Sequence, residues 1–132
     1  MTYLLDTHVW VWALEEPEKL GSKARSILQD LDNVRLLSAI SALEIARLIY
    51  FGKLHFSRPL SDWLHASMRA LMATAIDLTP AVAVEAYSLP GQLHQDPADR
   101  ILVASARLSS AILVTADKRL LNYKHVRTLS AT

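Results

Sequence analysis

The chain alternates short β-favouring runs with longer segments whose apolar residues recur at helical spacing. When strands and helices alternate, the strands pair in parallel through right-handed crossovers, and the helices cover both faces of the sheet. The order of the elements therefore predicts an α/β fold with a mostly parallel sheet. The expected strands are residues 2–6, 34–37, 75–78, 112–115 and 126–129.

Helical patterns fill the intervals between the expected strands. Apolar periodicity, prolines and glycines set their bounds. Because the 132 residues contain no internal repeat, low-complexity tract or linker, we expect one domain over residues 1–132. The expected helices follow residue 6, cover residues 22–31, run from 38 to about 52, cover 59–72, run from 80 to about 89, and begin again at 96 and at 117.

The composition leaves two explanations of the apolar content open. Hydrophobic residues make up 52% of the chain and charged residues 20%. These values fit either a well-filled core or an apolar surface that a partner covers. The absence of cysteine excludes disulfides and thiolate metal sites, so we expect a reducing compartment, the cytoplasm. No signal peptide and no membrane-spanning run is expected.

The net charge of +1 does not by itself indicate a nucleic-acid partner. A cluster of basic residues near the C-terminus is either a solvated face or a patch that contacts phosphates. It surrounds Tyr123 and consists of Lys118, Arg119, Lys124, His125 and Arg127.

Four acids fall at or near the carboxyl ends of expected strands: Asp6, Glu44, Asp99 and Asp117. In an open parallel sheet, functional groups collect outside these ends, where loops and helix N-termini meet. We therefore expect the four carboxylates to converge on one site.

Helix capping is an alternative explanation for two of the acids. Asp96 precedes Pro97 and has the pattern of an N-cap, which places Asp99 in a first turn where the helix dipole favours an acid. Asp117 can likewise cap a short helix. For these positions the local pattern leaves structural and functional roles open.

Capping accounts less well for the other two acids. Glu44 completes a capping box only if its helix begins at Ser41, whereas the apolar pattern favours a start at Ser38. Asp6 is unexplained if Thr7 caps the helix that follows. A buried carboxylate needs a partner or a metal ion, so Asp6 predicts such a partner.

One metal-ion hypothesis explains all four acids together. Carboxylate oxygens are preferred ligands of Mg²⁺ and Mn²⁺, and clustered carboxylates do not stay ionised together without compensating cations. A divalent ion at such a cluster polarises a phosphodiester and activates a water for in-line attack on phosphorus.

Other chemistries lack their motifs in this chain. The three glycines form neither a dinucleotide-binding nor a Walker A loop, and no serine-hydrolase elbow is present. The first strand ends in Asp6-Thr7-His8, not in the Asp-x-Asp of haloacid-dehalogenase-type phosphatases. The five histidines, His94 among them, are scattered, and we expect them at the surface or in caps rather than as zinc ligands.

Four segments, in this order, resemble the PIN-domain ribonucleases of the VapC toxin type. The resemblance spans essentially the whole chain and implies a three-layer α/β/α sandwich with a five-stranded parallel sheet. It also implies an Mg²⁺- or Mn²⁺-dependent endoribonuclease that cuts single strands, is usually a homodimer and is inhibited by an antitoxin encoded beside it. The segments are Leu5-Asp6-Thr7-His8-Val9-Trp10, Ser38-Ala39-Ile40-Ser41-Ala42-Leu43-Glu44-Ile45, Asp96-Pro97-Ala98-Asp99-Arg100-Ile101-Leu102-Val103-Ala104-Ser105-Ala106 and Leu113-Val114-Thr115-Ala116-Asp117.

Position by position, the resemblance implies that the catalytic, metal-binding acids are Asp6, Glu44, Asp99 and a less constant fourth, Asp117. We expect Asp6 and Asp99 to be the principal ligands. Glu44 and Asp117 would complete the cluster directly or through water, and Asp96 is the extra acid of the Asp-Pro-x-Asp-Arg subgroup.

Three further residues are expected to support the site. Thr115 matches the hydroxyl residue that often precedes the fourth acid, and we expect Thr7 and Thr115 to orient ligands or waters. Arg100 either pairs with a neighbouring carboxylate or is an ordinary surface residue of its helix.

Two alternative functions remain open from the sequence. A non-catalytic PIN-like module would only bind a partner protein and would not bind metal. A receiver-like phosphoacceptor also holds Mg²⁺ at strand ends, but the adjacent acids and the lysine that it requires are not clear here.

Overall fold

The computed structural model describes residues 1–132 and confirms an α/β/α sandwich. Its strands are β1 (Thr2–Leu5), β2 (Val34–Ser38), β3 (Thr74–Ile76), β4 (Ile112–Thr115) and β5 (Thr128–Ser130). They pair in parallel throughout, in the order β3-β2-β1-β4-β5. The chain winds outward from β1 in one direction and returns to β4 on its other side. The switch point between the carboxyl ends of β1 and β4 is where such a sheet forms a crevice.

Helices of moderate length connect the strands and cover both faces of the sheet. None is long and apolar enough to cross a membrane. A single turn of 3₁₀ helix covers Pro17–Lys19, and the α-helices are α1 (Thr7–Glu15), α2 (Ser22–Gln29), α3 (Ala39–Tyr50), α4 (Leu60–Leu71), α5 (Pro80–Ala86), α6 (Pro97–Leu108) and α7 (Lys118–Leu121).

The expected and observed bounds differ most at the edges of the sheet. The third strand was expected at residues 75–78 and lies at Thr74–Ile76, and the fifth was expected at 126–129 and lies at Thr128–Ser130. Each edge strand pairs with one neighbour, β3 with β2 and β5 with β4. The residues that form the edge strand are therefore those in register with this neighbour, and its own side-chain pattern does not fix them. Helix α5 ends at Ala86, short of the expected residue 89. Leu89 precedes Pro90, and a residue before proline disfavours helical backbone, so the helix does not extend to residue 89.

The core lies on both faces of the central strand. Tyr3 and Leu5 point into one cluster with α1, whereas Leu4 points into the other with α6. The alternation follows from the two-residue period of a strand. Because β1 is covered on both faces, all three of these side chains are buried. The end of β1 is therefore packed against side chains on both faces where the chain enters α1.

Candidate active site

Asp6 sits where β1 passes into α1. Its N–H extends the sheet by donating to Val114 O over 2.9 Å. Its carboxylate caps α1, because Oδ1 accepts from the N–H of Thr7 over 2.7 Å and Oδ2 accepts from the hydroxyl of Thr115 over 2.6 Å. Asp6, and not Thr7, is therefore the N-cap of α1, although the sequence allowed Thr7 to take this role. The β-region backbone of Asp6 places its own carboxylate at the first free N–H.

Thr7 is free of the capping role and contacts the second acid. Its Oγ1 donates to Glu44 Oε1 over 2.6 Å and lies 2.9 Å from Ser41 Oγ. Helix α3 begins after Ser38, whose hydroxyl accepts from the N–H of Ile40. This confirms the earlier of the two possible starts, so Glu44 lies in the second turn and does not complete a capping box.

The third acid lies in the first turn of α6. Asp96 caps this helix and accepts from the N–H of Asp99 over 3.1 Å, with Pro97 in the first turn. Both features follow the local pattern. Asp99 Oδ2 then lies 2.6 Å from His94 Nε2, while the Nδ1 atom of His94 is buried without a hydrogen-bond partner.

Asp117 caps α7 and also faces the other acids. Its Oδ1 accepts from the N–H of Arg119 over 2.8 Å, and its Oδ2 lies 2.9 Å from Arg119 Nη2. Its own N–H donates to Thr115 Oγ1 over 3.0 Å. Because Thr115 donates its hydroxyl proton to Asp6, this one side chain links the first acid to the fourth.

The four acids and Asp96 line one open cavity of about 320 Å³ at the carboxyl edge of the sheet. The structure thus brings together all of the carboxylates that the sequence singled out. The residues that line the cavity are Asp6, His8, Trp12, Glu44, Asp96, Asp99, Ala116, Asp117 and Arg119.

Burial and mutual repulsion govern the charge state of three of these acids. Desolvation raises the pKa of Asp6, Glu44 and Asp99, and hydrogen bonds to Thr115, Thr7 and His94 respectively oppose the rise. Like charge adds to the rise, since Asp6 raises the pKa of both Glu44 and Asp99. Asp117 differs, because the hydrogen bond with Arg119 lowers its pKa. The inner part of the cavity therefore holds negative charge that the protein compensates only in part.

The donor set fits a divalent cation. Its ligand atoms are mainly carboxylate oxygens, which suit Mg²⁺ and Mn²⁺. One possible ligand atom from each of His94, Asp99 and Asp117 lies within 4.8 Å of the others. Burial, together with mutual repulsion, raises the pKa values of the inner acids, and a cation bound here would compensate their charge.

Two basic residues at the site were not predicted as its members. His94 was expected at the surface or in a cap, but it forms an ion pair with Asp99 when protonated. Arg119 pairs with Asp117 and lies 3.7 Å from Asp99 Oδ2. Local signals existed in both cases, since His94 lies two residues before Asp96 and Arg119 lies two residues after the Asp117 cap. Neither spacing shows that the side chains turn toward the acids.

Arg100 fits neither of its expected roles. It forms no ion pair with a carboxylate, and it is not an ordinary surface residue. Its Nε donates to Ala86 O over 2.9 Å and its Nη1 donates to Leu93 O over 3.0 Å, while the guanidinium lies 5.0 Å from the ring centroid of Tyr87. Arg100 thus fixes the segment between α5 and α6, which carries His94 into the site.

The C-terminal basic cluster is divided by the fold. Arg119 lies at the acid cavity, whereas His125 and Arg127 line a different cavity together with Ala111, at the amino end of β4. The chain reverses across the sheet between α7 and β5, which separates residues that are close in sequence. These residues therefore do not form a single patch.

The comparisons with known proteins agree with this fold. Residues 3–126 match the PIN domain family. Ribonuclease VapC22 of Mycobacterium tuberculosis (strain ATCC 25618 / H37Rv) is 34% identical over 129 residues, which are 98% of this chain and 97% of the relative.

Two solved structures have the same fold at low sequence identity. DNA-bound VapBC from Salmonella typhimurium matches with a TM-score of 0.71 and 14% identity over 100% of this chain and 99% of that chain. VapBC2 from Rickettsia felis, bound to a DNA fragment from the promoter, matches with a TM-score of 0.69 and 14% identity over 100% of both chains. The family match and the identity to VapC22 show that the chain belongs to the PIN domain family.

Proposed function

We propose that this protein is a divalent-metal-dependent endoribonuclease and the toxin of a toxin–antitoxin pair. The observation that carries the proposal is the meeting of Asp6, Glu44, Asp99 and Asp117 in one cavity at the switch point of the sheet. Membership of the PIN family and the 34% identity to a protein named as a ribonuclease support the same activity. We place the activity in the cytoplasm, where a cysteine-free chain and an RNA substrate are both expected.

The residues that would hold Mg²⁺ or Mn²⁺ are Asp6 and Asp99, with Glu44 and Asp117 binding directly or through water. When bound, the ion would supply electrostatic stabilisation of the phosphodiester and a more acidic water. Thr115 holds the Asp6 carboxylate from one side while the N–H of Thr7 holds it from the other. These contacts fix the orientation of the ligand before any ion arrives.

Glu44 is suited to accept a proton from the attacking water. Thr7 occupies its Oε1, and no protein group donates to Oε2. Burial and the charge of Asp6 raise the pKa of Glu44, which makes its carboxylate a better base than a solvated one. Arg119 lies at the mouth of the cavity, where its guanidinium compensates Asp117 and can contact a phosphate.

The proposed protein partners are a cognate antitoxin and a second copy of this chain. Several large apolar side chains are exposed, which is consistent with surfaces that partners cover. One of the matching structures is described as a toxin-antitoxin complex from Klebsiella pneumoniae. The exposed side chains include Leu43, Tyr50 and Phe51 at α3, and Val84 and Tyr87 at α5.

The test is cleavage of total cellular RNA by protein purified free of antitoxin, with Mg²⁺, with Mn²⁺ and with EDTA. We expect new 5′ ends at defined positions in either metal and none in EDTA. The control is the Glu44→Gln variant, which keeps the shape of the side chain and the acceptor for Thr7. Absence of metal-dependent cleavage of any RNA, together with no heat of Mn²⁺ binding, would favour the non-catalytic interaction module instead.

A further inference from the structure

The three tryptophans of the chain lie in two different environments. Trp10 and Trp63 are core residues, 2% and 5% exposed, and their indole N–H groups donate to Ser67 and Glu15. Trp12 is partly exposed and lines the cavity that contains the acids. Core packing explains the positions of Trp10 and Trp63 in full. It covers only part of the Trp12 side chain, and the rest faces the cavity.

His8 and Trp12 form an aromatic ledge beside the acids. They lie four residues apart and therefore on one face of α1, with ring centroids 6.2 Å apart and planes inclined by 56°. Trp10 points the other way, into the core. Because α1 begins directly after Asp6, its first turns carry both rings along the wall of the cavity.

The charge of the cavity determines what the ledge can contribute to binding. Five carboxylates line it and repel a phosphate backbone, whereas Arg119 is the only arginine or lysine in its wall. Base stacking on aromatic rings does not depend on charge and is a principal source of affinity for single strands. At the ledge itself, the Nζ of Lys19 lies over the Trp12 ring, 5.6 Å from its centroid, and pairs with Glu16 over 2.6 Å. A base that stacks on this face would displace the ammonium, which sits on a half-exposed and flexible side chain.

We propose that the aromatic ledge of His8 and Trp12 stacks a base of single-stranded RNA beside the phosphodiester that is cut. This subsite rests on the proposed endoribonuclease function and deepens it. A base within a duplex has both faces covered by its neighbours, so only an unpaired base can use the ledge. The ledge therefore selects unpaired segments and holds the adjoining phosphate over the acids.

The first test measures cleavage kinetics on a short single-stranded RNA for Trp12→Leu, Trp12→Phe and the wild type. We expect Trp12→Leu to raise KM about tenfold and to change kcat by less than about threefold, because a contact made equally in the ground and transition states is lost. Trp12→Phe keeps an aromatic face and should recover most of the affinity. The matched control is Leu31→Ala, which removes an exposed apolar side chain outside the cavity and should leave KM unchanged.

The second test measures binding without cleavage. Trp12 is the one tryptophan that is not buried, so stacking should quench its emission when RNA is added to Glu44→Gln in Mg²⁺. The quench should disappear in the Glu44→Gln, Trp12→Phe double variant, in which the emission comes from Trp10 and Trp63 alone. Duplex RNA of the same sequence should quench less than the single strand.

The outcomes separate this subsite from the proposed function. If the wild type cuts RNA and Trp12→Leu has an unchanged KM, the stacking subsite is wrong and the nuclease stands. If Leu and Phe raise KM equally, Trp12 acts through packing and the proposal is also overturned. If the wild type cuts no RNA, the nuclease proposal fails, and the fluorescence quench then decides whether the ledge binds bases. If Trp12→Leu fails to fold, the fluorescence quench in Glu44→Gln and its loss in the Glu44→Gln, Trp12→Phe double variant still test whether a base stacks on Trp12.

Discussion

At the scale of single residues, hydroxyl groups connect the acids of the site. Thr115 donates to Asp6 and accepts from the backbone of Asp117, and Thr7 donates to Glu44. Three of the five acids also have a structural role, since Asp6, Asp96 and Asp117 are helix N-caps. Capping and metal binding are therefore compatible, because a cap uses only part of the acceptor capacity of a carboxylate.

The first residue-scale prediction concerns Asp6. The substitution Asp6→Asn keeps the Oδ1 acceptor for Thr7 but removes the charge and a proposed metal ligand. We expect the rate of RNA cleavage to fall by more than about 100-fold, beyond the usual effect of a supporting residue. The circular-dichroism spectrum should be unchanged. Cleavage by the purified variant at the wild-type rate in Mg²⁺ would contradict the ligand assignment.

The second prediction concerns Thr115. Its hydrogen bond lowers the pKa of Asp6, so Thr115→Val should raise that pKa further. The acidic limb of the pH–rate profile should then shift to higher pH, and activity at neutral pH should fall by about 10- to 100-fold. Thr115→Ser keeps the hydroxyl and should restore most of the activity. An unshifted profile for Thr115→Val would show that the contact does not control Asp6.

At the scale of elements, buried polar contacts tie the helices to the sheet. Arg35 on β2 is buried without a carboxylate partner, and it donates to Leu71 O in the last turn of α4 over 2.6 Å and to Asp30 O over 2.8 Å. A cation at the C-terminal end of a helix is favourable for the helix dipole. Arg35 thus orients α4 against the strand that leads into α3 and Glu44.

Arg35→Met should lower the free energy of unfolding by about 2 kcal/mol, since charged hydrogen bonds are lost and buried carbonyl oxygens lose their donors. Urea unfolding followed by circular dichroism measures the change. Arg25→Met on α2 is the matched control, because Arg25 is exposed, and its effect should stay within about 0.5 kcal/mol. Equal effects of the two substitutions would show that the contacts of Arg35 contribute nothing.

At the scale of the whole molecule, the site couples stability to pH and to metal. The pKa values of Asp6, Glu44 and Asp99 are raised in the folded protein, so the folded state holds these protons more tightly than the unfolded state. The contribution of these three carboxyl groups to the free energy of unfolding is therefore most favourable at acidic pH. It is lost as the pH rises from ordinary carboxyl values through the raised folded values. At neutral pH the ionised cluster destabilises the metal-free protein.

Glu44→Gln removes one of these charges and should melt at a higher temperature than the wild type at pH 7 in EDTA. The difference between the two proteins should shrink as the pH is lowered into the carboxyl range. Bound metal should compensate the charge of the cluster and so stabilise the wild type. At a free Mn²⁺ concentration of 100 times its Kd, the free energy of unfolding of the wild type should rise by about 2.7 kcal/mol. Thermal melts across pH, with and without Mn²⁺, measure both effects. A wild type that is more stable than Glu44→Gln in EDTA at pH 7 would contradict this account.

The amino-acid sequence by itself determined the alternation of strands and helices and the residues that lie at the strand ends. Hydrophobic periodicity records which side of an element is buried, so it predicted the sheet and the start of α3 at Ser38. The same signal placed Asp6, Glu44, Asp99 and Asp117 near one edge of that sheet.

Only the tertiary structure decided how these acids are held and which other residues join them. The contact between Thr115 and Asp6 spans 109 residues, and that between Thr7 and Glu44 spans 37. Such contacts depend on β1 lying between β2 and β4, which local periodicity does not encode. The loop conformation that brings His94 to Asp99 is set by packing in the same way. Sequence spacing describes neighbours along the chain, whereas this site is assembled from segments that only folding brings together.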